Sequence, residues 1–460
     1  MRRKIMPLVF VLLILLQQGV SVHAQEARSR FELLNLIRKD KFDLILPQVM
    51  RDNNVDMWIH VIRRGDPDPL ELDLGGNAGY FIFTDRGSER IERAVLGIGF
   101  SRIADSSVYD IITAENLYGE DRIPMWKLSD LTEFVAERDP KRIAINMSEW
   151  LTHTDSLSHT GYLKLVELLG KKYTERLISS ENVITDFRVR RVQTEIVAFA
   201  KACEMQRQIM ETALKSIKPG VTTREELAWW AQDQLLKHGL PISYLGAGMP
   251  GISHSEVSER SETRKPGYAF QRGDLISWDW GIKYLNFGTD YKRKAYILKE
   301  GETSLPDGLR KAWNRGLKAR EIIRKTFKAG HTANETLEIV SSAIEEAGYV
   351  YTPYVNNSRN KEIIEALGDS EKSGFSIDCH CVGNTGNSQI AVGPSMAPFR
   401  QGRAHLVIRP NNLIAFEFMV HTWIPEWKRR LSINFEDNAI VTERGIEALY
   451  PRNEQIITVR

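Results

Sequence analysis

Five residues in the C-terminal half of the chain have side chains that bind hard divalent cations: Asp279, Asp290, His380, Glu417 and Glu436. Each lies in a strand-like segment, and carboxylates favour ions such as Mn²⁺, while imidazole also binds Co²⁺, Fe²⁺ and Zn²⁺. Two such ions about 3.5–4 Å apart can lower the pKa of a bridging water and hold a carbonyl group during hydrolysis. The set therefore predicts a hydrolase site with two divalent metal ions per chain, Mn²⁺ being expected and Co²⁺, Zn²⁺ or Fe²⁺ being alternatives.

The segments around these residues favour metal binding over other roles for buried acids. Asp279 interrupts the apolar run 274–281, and a turn-like stretch after it predicts a hairpin that brings Asp290 beside it. Glu417 lies in the apolar run 413–420, where an unpaired carboxylate would cost on the order of several kcal/mol. Any one of these acids could form a buried salt bridge or a hydrogen bond instead, but the ordered set points to metal ions.

Length and composition describe a soluble globular protein of more than one domain. At 460 residues the chain is too long for one ordinary hydrophobic core, so two domains are expected. Hydrophobic residues make up 42% of the chain and charged residues 27%, as in globular proteins. The formal net charge of +2 gives no reason to expect a nucleic-acid partner, and basic clusters such as 428–430 are expected to be solvated surface.

The N-terminus, residues 1–24, has the three-part pattern of a secretory signal peptide. A basic segment at 2–4 precedes an apolar run at 5–16, and the small residues Val22 and Ala24 form a cleavage site. The apolar run is too short to span a bilayer as a helix, which favours a signal peptide over an uncleaved anchor. No other long apolar run follows, so the protein is expected to be exported to the periplasm or the extracellular space, without a membrane partner after signal removal.

Two of the three cysteines, Cys379 and Cys381, flank His380 and could suggest a metal cluster of their own. In a strand, however, alternate side chains point to opposite faces, so both sulfurs would point away from the face that His380 uses. We therefore expect them to be packing residues. Three cysteines also form no disulfide framework in a chain of this length.

Hydrophobic periodicity divides the chain into two units. Residues 25–185 predict a mixed α/β unit without a catalytic grouping. Residues 186–460 open with a long helix over 188–217, after which Thr222 and Glu225 predict a capping box for the next helix. The rest of this second unit has a mainly β pattern, interrupted by two helices.

Motifs along the chain match those of one known family. The matching segments are 192–196 at a helix start, 218–222 at the following turn, 273–275 with 279–281 and 289–290 at the two aspartates, His380, Glu417, and Glu436 with Asp437. On these residues the sequence resembles the pita-bread-fold metallopeptidases, which include aminopeptidase P, prolidase and methionine aminopeptidase. Its first half is similar to the creatinase-type N-terminal domain of the aminopeptidase P and prolidase branch. The resemblance implies an α/β creatinase-like N-terminal domain over 25–185 and an α+β pita-bread C-terminal catalytic domain over 186–460.

The resemblance also implies a role for each of the five residues. Asp279 would hold one metal ion, His380 and Glu417 would hold the other, and Asp290 and Glu436 would bridge both. The implied reaction is attack of a metal-bound hydroxide on a peptide carbonyl, with the free N-terminus of the substrate at the metal pair. Xaa-Pro bonds are the usual target of this branch. A peptide is thus the expected partner, and because dimers are common in the family the resemblance also allows a homodimer.

The chain departs from the family pattern around the catalytic histidines. Ser376 and Asn387 stand where the family usually has histidines, four residues before and seven residues after His380. The later histidine donates a hydrogen bond to the developing oxyanion, a contribution of about 3 kcal/mol. His421 could supply the missing donor from a neighbouring strand, or it could face solvent. His254 could donate a hydrogen bond on the substrate side, or it could lie on the surface.

These departures leave three functions open. Phe418 and Asn434 also replace the family's usual proline and arginine near the two glutamates. The first function is an exported two-metal aminopeptidase of the Xaa-Pro aminopeptidase and prolidase type. The second is the same metal site hydrolysing non-proline peptides, or a small amide or ester. The third is a non-catalytic protein that keeps metal ions and binds peptides.

Overall fold

The computed structural model describes residues 24–63, 65–97, 106–113, 129–149, 151, 154–240, 248–353, 358–383 and 392–460. Its α-helices are α1 (Ala24–Asp40), α2 (Leu46–Asp52), α3 (Glu71–Leu74), α4 (Ser129–Arg138), α5 (His159–Thr174), α6 (Glu181–Val189), α7 (Gln193–Lys215), α8 (Arg224–Lys237), α9 (Asp307–Thr326), α10 (Ala333–Glu346) and α11 (Ser358–Ala366). Its strands are β1 (Met57–Ile62), β2 (Gly79–Thr84), β3 (Glu92–Leu96), β4 (Ile111–Ile112), β5 (Ile143–Ile145), β6 (Leu177–Ser179), β7 (Gly251–His254), β8 (Leu275–Trp280), β9 (Lys283–Tyr284), β10 (Phe287–Gly288), β11 (Tyr291–Ile297), β12 (Val350–Tyr351), β13 (Gly374–Ile377), β14 (His380–Cys381), β15 (Leu413–Ile424), β16 (Arg429–Thr442), β17 (Gly445–Ala448) and β18 (Ile457–Val459).

The N-terminal unit is built on one mixed six-stranded sheet with the strand order β4-β3-β2-β1-β5-β6. Strand β1 is antiparallel to β2 and parallel to β5, and every residue of β1 and β2 is buried. Such continuous apolar strands are typical of a sheet that is covered on both faces. Phe42 and Phe187 belong to the core on one face, and Leu131 of α4 and Leu165 of α5 belong to the core on the other.

Helix α6 crosses the division between the two units that the sequence predicts at 185/186. Val183, Ile184 and Phe187 of this helix pack into the N-terminal core, whereas Val189 packs into a core of the second unit. The helix therefore contributes to both units, and a division at that residue stays a prediction.

In the described residues the second unit contains the two-stranded sheet β9-β10 and two larger sheets, each of which shares a core with a pair of helices. One sheet has the order β18-β11-β8-β7, and the other has the order β12-β13-β15-β16-β17 with β14 beside β15. Phe199 of α7 shares a core with Trp278 of the first sheet, together with apolar residues of α8. Trp313 of α9 shares a core with Phe435 of the second sheet, together with apolar residues of α10. This pita-bread unit beside an α/β N-terminal unit confirms the predicted fold class.

The helix predicted over 188–217 is observed at Gln193–Lys215, because residues 181–189 form the separate helix α6. Helix α11 is a third helix in the mainly β part, where the sequence predicts two. The start of α8 differs as well. The capping box expected at Thr222 and Glu225 is wrong by one residue. The hydroxyl of Thr223 accepts a hydrogen bond from the backbone N–H of Glu226 at 3.1 Å, and the carboxylate of Glu226 accepts one from the backbone N–H of Thr223 at 2.7 Å. Helix α8 therefore begins one residue later than the sequence pattern suggests.

No helix among the residues described is both long and apolar enough to cross a membrane. The expected signal peptide lies outside those residues, except for Ala24 at the start of α1. Export therefore stays a prediction from the sequence.

Candidate metal centre

Two antiparallel strand pairs bring the five predicted residues together. Asp279 lies on β8, and Asp290 directly precedes β11, the antiparallel partner of β8, which confirms the predicted hairpin. Glu417 of β15 lies directly opposite Glu436 of β16. His380 begins β14, which pairs with β15 next to Glu417. Because directly opposed side chains of antiparallel strands lie about 5 Å apart, these residues form one cluster.

The cluster is buried on one side and open on the other. Asp290, His380, Glu417 and Glu436 are each at most 6% exposed, whereas 44% of the side chain of Asp279 is exposed. The ligand atoms of Asp290, His380 and Glu436 all lie within 4.8 Å of one another. The Nε2 atom of His380 is 3.9 Å from Oδ2 of Asp290 and 3.9 Å from Oε2 of Glu417. These groups face a common centre.

The ring of His380 is oriented for metal binding. Its Nδ1 lies 3.0 Å from the carbonyl oxygen of Cys381, so Nδ1–H donates there and Nε2 keeps its lone pair. Within the described part of the chain, this Nε2 and the Oε1 of Glu436 are buried without a hydrogen-bond partner. Burial and the charges of Arg400 and Arg403 lower the pKa of His380 well below its ordinary value, so the ring is neutral. A neutral, unpartnered imidazole beside an unpartnered carboxylate oxygen fits a divalent cation.

Burial raises the pKa of Asp290, Glu417 and Glu436 because it disfavours their charged forms. The pKa of Asp290 is raised well above its ordinary value by burial first and then by the charge of Asp279. The pKa of Glu436 is likewise raised well above its ordinary value, by burial and then by Asp290. Burial raises the pKa of Glu417 to about 7, although Lys292 opposes the shift. A divalent cation would stabilise the ionised forms of all these acids.

Lys292, which was not predicted, reaches the same cluster. Its Nζ lies 2.5 Å from Oε1 of Glu417, 2.6 Å from Oε2 of Glu436 and 3.1 Å from Oδ2 of Asp279. Burial alone would lower the pKa of Lys292, but the carboxylates around it raise that pKa well above its ordinary value. A signal existed in the sequence, because a residue two positions after Asp290 on a strand must point to the same face.

A second lysine, Lys294, follows on the same face of β11. It is 1% exposed, and its Nζ donates a hydrogen bond to Oγ of Ser277 at 2.9 Å. Burial and the charge of Lys292 lower the pKa of Lys294 to about 7, although Asp279 opposes the shift. The face of β11 that continues from Asp290 is therefore basic at alternate positions.

Hydrogen bonds outside the cluster fix the backbones that carry two of its acids. The backbone N–H of Asp378 donates to the carbonyl oxygen of Glu417 at 3.0 Å, and the carboxylate of Asp378 pairs with Arg400. The backbone N–H of Asp290 donates to Oδ1 of Asn438 at 3.0 Å. Glu417 and Asp290 are thus held by neighbours on their own sheet and on the facing one.

His421 is buried and does not face solvent. Its Nε2 lies 2.9 Å from Oγ of Ser376, and its Nδ1 lies 2.7 Å from Oγ of Ser432. Ser376 is the position at which the family usually has a histidine, so the ring of His421 lies beside that position. Burial and the charge of Arg430 lower the pKa of His421 to about 4. Its catalytic role stays a prediction, and Asn387 lies outside the described residues.

His254 is also buried, but the structure does not bring it to the five residues. It pairs in register with Leu275, four residues before Asp279, which corresponds to about 13 Å along the strand. Its ring stacks on Trp427 with the centroids 3.9 Å apart, and its Nδ1 lies 3.2 Å from Nη1 of Arg429. Burial and Arg429 lower the pKa of His254 to about 4. A substrate-side role for His254 stays a prediction.

Cys379 and Cys381 pack into the core of the second sheet, as expected for packing residues. The Sγ of Cys379 donates to the carbonyl oxygen of Glu417 at 3.3 Å. Neither cysteine belongs to the acid and histidine group that could hold a metal ion in the described part of the chain.

Two helix-backed sheets with buried carboxylates and one imidazole between them define a metallohydrolase of the pita-bread type. The model of metallopeptidase family M24 matches residues 198–443, more than half of the chain, and the chain belongs to this family. The matched segment contains all five predicted ligands.

Two curated proteins illustrate the sequence similarity. The chain is 24% identical to methionine aminopeptidase 1 of Saccharomyces cerevisiae over 281 residues, which cover 57% of this chain and 63% of that protein. It is 27% identical to the Xaa-Pro dipeptidase of Pyrococcus furiosus over 208 residues, which cover 44% of this chain and 56% of that protein. The chain thus spans less than two thirds of the length of these curated relatives.

Solved structures match over nearly the whole chain. An X-Pro aminopeptidase from Thermotoga maritima aligns with a TM-score of 0.59 and 17% identity, covering 90% of this chain and 100% of that chain. A zinc-substituted aminopeptidase P from E. coli in complex with product aligns with a TM-score of 0.53 and 14% identity, covering 91% and 94% of the two chains. At these identities the matches support the fold alone, and they extend through the N-terminal unit.

Proposed function

We propose that this chain is a divalent-metal-dependent aminopeptidase that removes N-terminal residues from peptides, with Xaa-Pro bonds as the first candidates. One observation carries the proposal: the ligand atoms of Asp290, His380 and Glu436 lie within 4.8 Å of one another. The names of the curated relatives, methionine aminopeptidase and Xaa-Pro dipeptidase, support a peptide substrate.

The residues around the site have separate tasks in this proposal. A divalent ion held by the carboxylates and the imidazole would lower the pKa of a water and polarise the scissile carbonyl. The carbonyl oxygen of Cys381 fixes the ring of His380, and Asn438 fixes the backbone of Asp290. The half-exposed carboxylate of Asp279 lies at the open side, where it would accept a charge-assisted hydrogen bond from the amino group of the substrate.

Lys292 bears on the number of ions that this site holds. Each of the two ion positions implied by the family resemblance uses carboxylates that the Nζ of Lys292 contacts: Asp279, Glu417 and Glu436. In this proposal the activity requires at least the ion at the group that contains His380.

Metal reconstitution and a peptide digest test this function. Metal-stripped protein reconstituted with Mn²⁺, Co²⁺, Zn²⁺ or Fe²⁺ is expected to bind at least one ion and to shorten peptides at the N-terminus, as followed by mass spectrometry. Asp290→Asn is expected to lower metal affinity on the order of 100-fold or more and to abolish cleavage. A wild-type protein that binds none of the four ions would contradict the proposal.

Asp274→Asn provides the matched control for Asp290→Asn. Asp274 is a fully buried aspartate directly before β8, and its Oδ2 accepts hydrogen bonds from the hydroxyl of Tyr268 at 3.0 Å and the backbone N–H of Gln271 at 2.8 Å. This variant removes a buried negative charge from the same sheet without removing a ligand. It is expected to bind metal as the wild type does.

A second candidate is a different use of the same site. Ser376 in place of a histidine, with His421 beside it, favours cleavage of non-proline peptides or of a small amide or ester. Lys292 within the ligand cluster favours peptide binding without turnover. Digestion of peptides with and without proline at the second position, together with calorimetric titration of peptides, separates these functions. Cleavage confined to Xaa-Pro bonds removes the second candidate.

We also propose export and a homodimer. Export rests on the pattern of residues 1–24, and the homodimer rests on the family resemblance. Cell fractionation with N-terminal sequencing should find a mature protein that begins at Gln25, and light scattering should give twice the mass of the mature chain. Full-length protein in the cytoplasm, or a monomer at all concentrations, would contradict the respective proposal.

A further inference from the structure

We propose that the ammonium group of Lys292 takes the place of one of the two metal ions that the family resemblance implies, so that the chain binds a single divalent ion. This inference rests on the proposed metal-dependent function and concerns how many ions the site holds and which residues hold them.

The contacts of Lys292 are those of a cation bound by carboxylates. Its Nζ lies 2.5 Å from Oε1 of Glu417, 2.6 Å from Oε2 of Glu436 and 3.1 Å from Oδ2 of Asp279. An ammonium group has three N–H donors. Two of them donate to Glu417 and Glu436, and the carboxylate of Asp279 lies at ion-pair distance. The resemblance implies that Asp279 binds only one of the two metal ions. In this structure the cation beside Asp279 is the ammonium group of Lys292.

The backbone of β11 fixes the face to which the side chain of Lys292 points. Strand β11 pairs with β8 over Tyr291–Tyr296 and with β18 over Ala295–Ile297, and this pairing fixes the faces to which its side chains point. Asp290 and Lys292 are two residues apart, and side chains at that spacing on a strand point to the same face. Lys292 lies directly opposite Asp279 in the register and is 8% exposed, so its stem has no path to solvent.

Three residues keep ligand atoms for one metal ion beside Lys292: Asp290, His380 and Glu436. Glu417 and Glu436 each direct one oxygen to Lys292, which leaves Oε2 of Glu417 and Oε1 of Glu436. Nε2 of His380 lies 3.9 Å from Oε2 of Glu417 and 3.9 Å from Oδ2 of Asp290. In the described part of the chain, Nε2 of His380 and Oε1 of Glu436 have no hydrogen-bond partner. One ion at the group of Asp290, His380 and Glu436, whose ligand atoms lie within 4.8 Å of one another, would give a partner to Nε2 of His380 and to the carboxylate of Glu436.

Repulsion between positive charges also favours one ion. The four carboxylates of the cluster carry four negative charges when ionised, and two divalent ions alone would neutralise them. Lys292 would then add a fifth positive charge in a buried site, a few ångströms from two cations. One divalent ion together with Lys292 brings three positive charges, and Lys294 lies two residues further along the same strand face. Like charges at such distances in a low-dielectric interior repel strongly.

Metal counting on Lys292 variants tests the inference. Wild-type protein saturated with Mn²⁺ is expected to contain one ion per chain by elemental analysis and to give the electron paramagnetic resonance spectrum of isolated Mn²⁺. Lys292→Thr removes the ammonium group and leaves space and a hydroxyl oxygen, so it is expected to contain two ions with a spin-coupled spectrum. Lys292→Gln, which removes the charge and shortens the side chain by one atom, is the second variant in case the threonine variant does not fold.

Lys294→Thr is the matched control, since Lys294 occupies the same face of β11 but donates to Oγ of Ser277. It is expected to contain one ion, as the wild type does. Two ions in the wild type would overturn the role of Lys292 and leave the proposed function intact. One ion in both Lys292 variants, or two ions in Lys294→Thr, would also overturn it. A wild type without any ion would overturn the proposed function and the inference together.

Discussion

At position 421 a histidine is enclosed between two serine hydroxyls and is 2% exposed. Burial and the charge of Arg430 lower its pKa from the ordinary 6.5 to about 4. Between these values the unfolded chain binds a proton at His421 that the folded chain does not bind. The free energy of unfolding therefore falls as the pH decreases from 6.5 towards 4, and the contribution of His421 is fully present only above pH 6.5.

Replacing His421 by glutamine is expected to reduce this pH dependence, because glutamine binds no proton in either state. Between about pH 5 and pH 6.5 the change in the free energy of unfolding should be smaller than that of the wild type by about 2 kcal/mol. Urea unfolding at several pH values measures the difference. His331→Gln, at an exposed histidine, is the control and should keep the wild-type slope. Equal slopes for His421→Gln and the wild type would show that the ring is not held neutral.

The candidate site could be predicted in part at the level of single residues. Asp279 and Glu417 were identified because each interrupts an apolar strand, which is visible in the alternation of residue types. Lys292 cannot be singled out from the sequence, because it lies in a run of three basic residues within Tyr291–Ile297, and such runs are typical of exposed segments. Lys292 is buried against Glu417 and Glu436, and Arg293 on the other face is buried against Glu211 of α7, so contacts between segments far apart in the chain bury both. The sequence leaves both a catalytic and a solvent-facing role open for His421 for the same reason.

At the level of elements, helix α9 packs so closely on β16 that one glycine is required. A Cβ atom at Gly316 would lie 2.1 Å from Cε2 and 2.1 Å from Cζ of Phe435, the residue before Glu436. Phe435 is itself 2% exposed and stacks on Trp313 with ring centroids 4.3 Å apart. The ring therefore has no space into which it can move, and α9 supports the strand that carries a metal ligand.

Gly316→Ala is expected to destabilise the protein, although alanine is favoured over glycine in a helix by about 1 kcal/mol. Overpacking against Phe435 should cost about 1–3 kcal/mol, and the displaced ring should also weaken metal binding through Glu436. Thermal unfolding with and without Mn²⁺ measures both effects. Asn314→Ala, at an exposed position of the same helix, is the control and should be neutral or stabilising. An increase in stability for Gly316→Ala would contradict the close packing.

Helix boundaries show why some element positions could not be predicted. The segment 222–226 offers two capping boxes in succession, and the local pattern does not distinguish them. Thr223 is the N-cap of α8, because the hydroxyl of Thr222 already accepts a hydrogen bond from the backbone N–H of Lys218 at 2.9 Å. The carbonyl oxygen of Thr222 also accepts one from the backbone N–H of Phe270 at 3.0 Å. The latter partner lies beyond α8 in the chain, so tertiary structure decides where that helix begins.

At the level of the whole molecule, Asp73 of the N-terminal unit connects to the turn between the two aspartate strands. Its Oδ1 accepts a hydrogen bond from Nδ2 of Asn286 at 3.1 Å, and its Oδ2 lies 3.3 Å from Nη2 of Arg188. Asn286 lies between β9 and β10, in the hairpin that joins Asp279 to Asp290. The N-terminal unit therefore holds the hairpin that positions two of the acids.

Asp73→Ala is expected to lower the free energy of unfolding by about 3–5 kcal/mol, because the fully buried Arg188 loses its carboxylate partner. Amide hydrogen exchange in segment 281–289 should rise as well, since Asn286 loses its acceptor. Urea unfolding and exchange mass spectrometry measure the two effects. Asp66→Ala, at an aspartate whose side chain is 55% exposed, should change neither. Unchanged exchange in the hairpin would contradict the coupling between the units.

The lysine on β11 also has a consequence for a cell in which metals are scarce. The ammonium group of Lys292 is covalently attached to the chain and cannot leave the site as a metal ion can. Neither a chelator nor starvation for manganese or zinc can therefore remove it. Asp279, Glu417 and Glu436 keep a counter-charge under all such conditions. Chelation should therefore stop the chemistry without opening the space between the two sheets, and the protein should remain ready for reactivation when the metal supply returns.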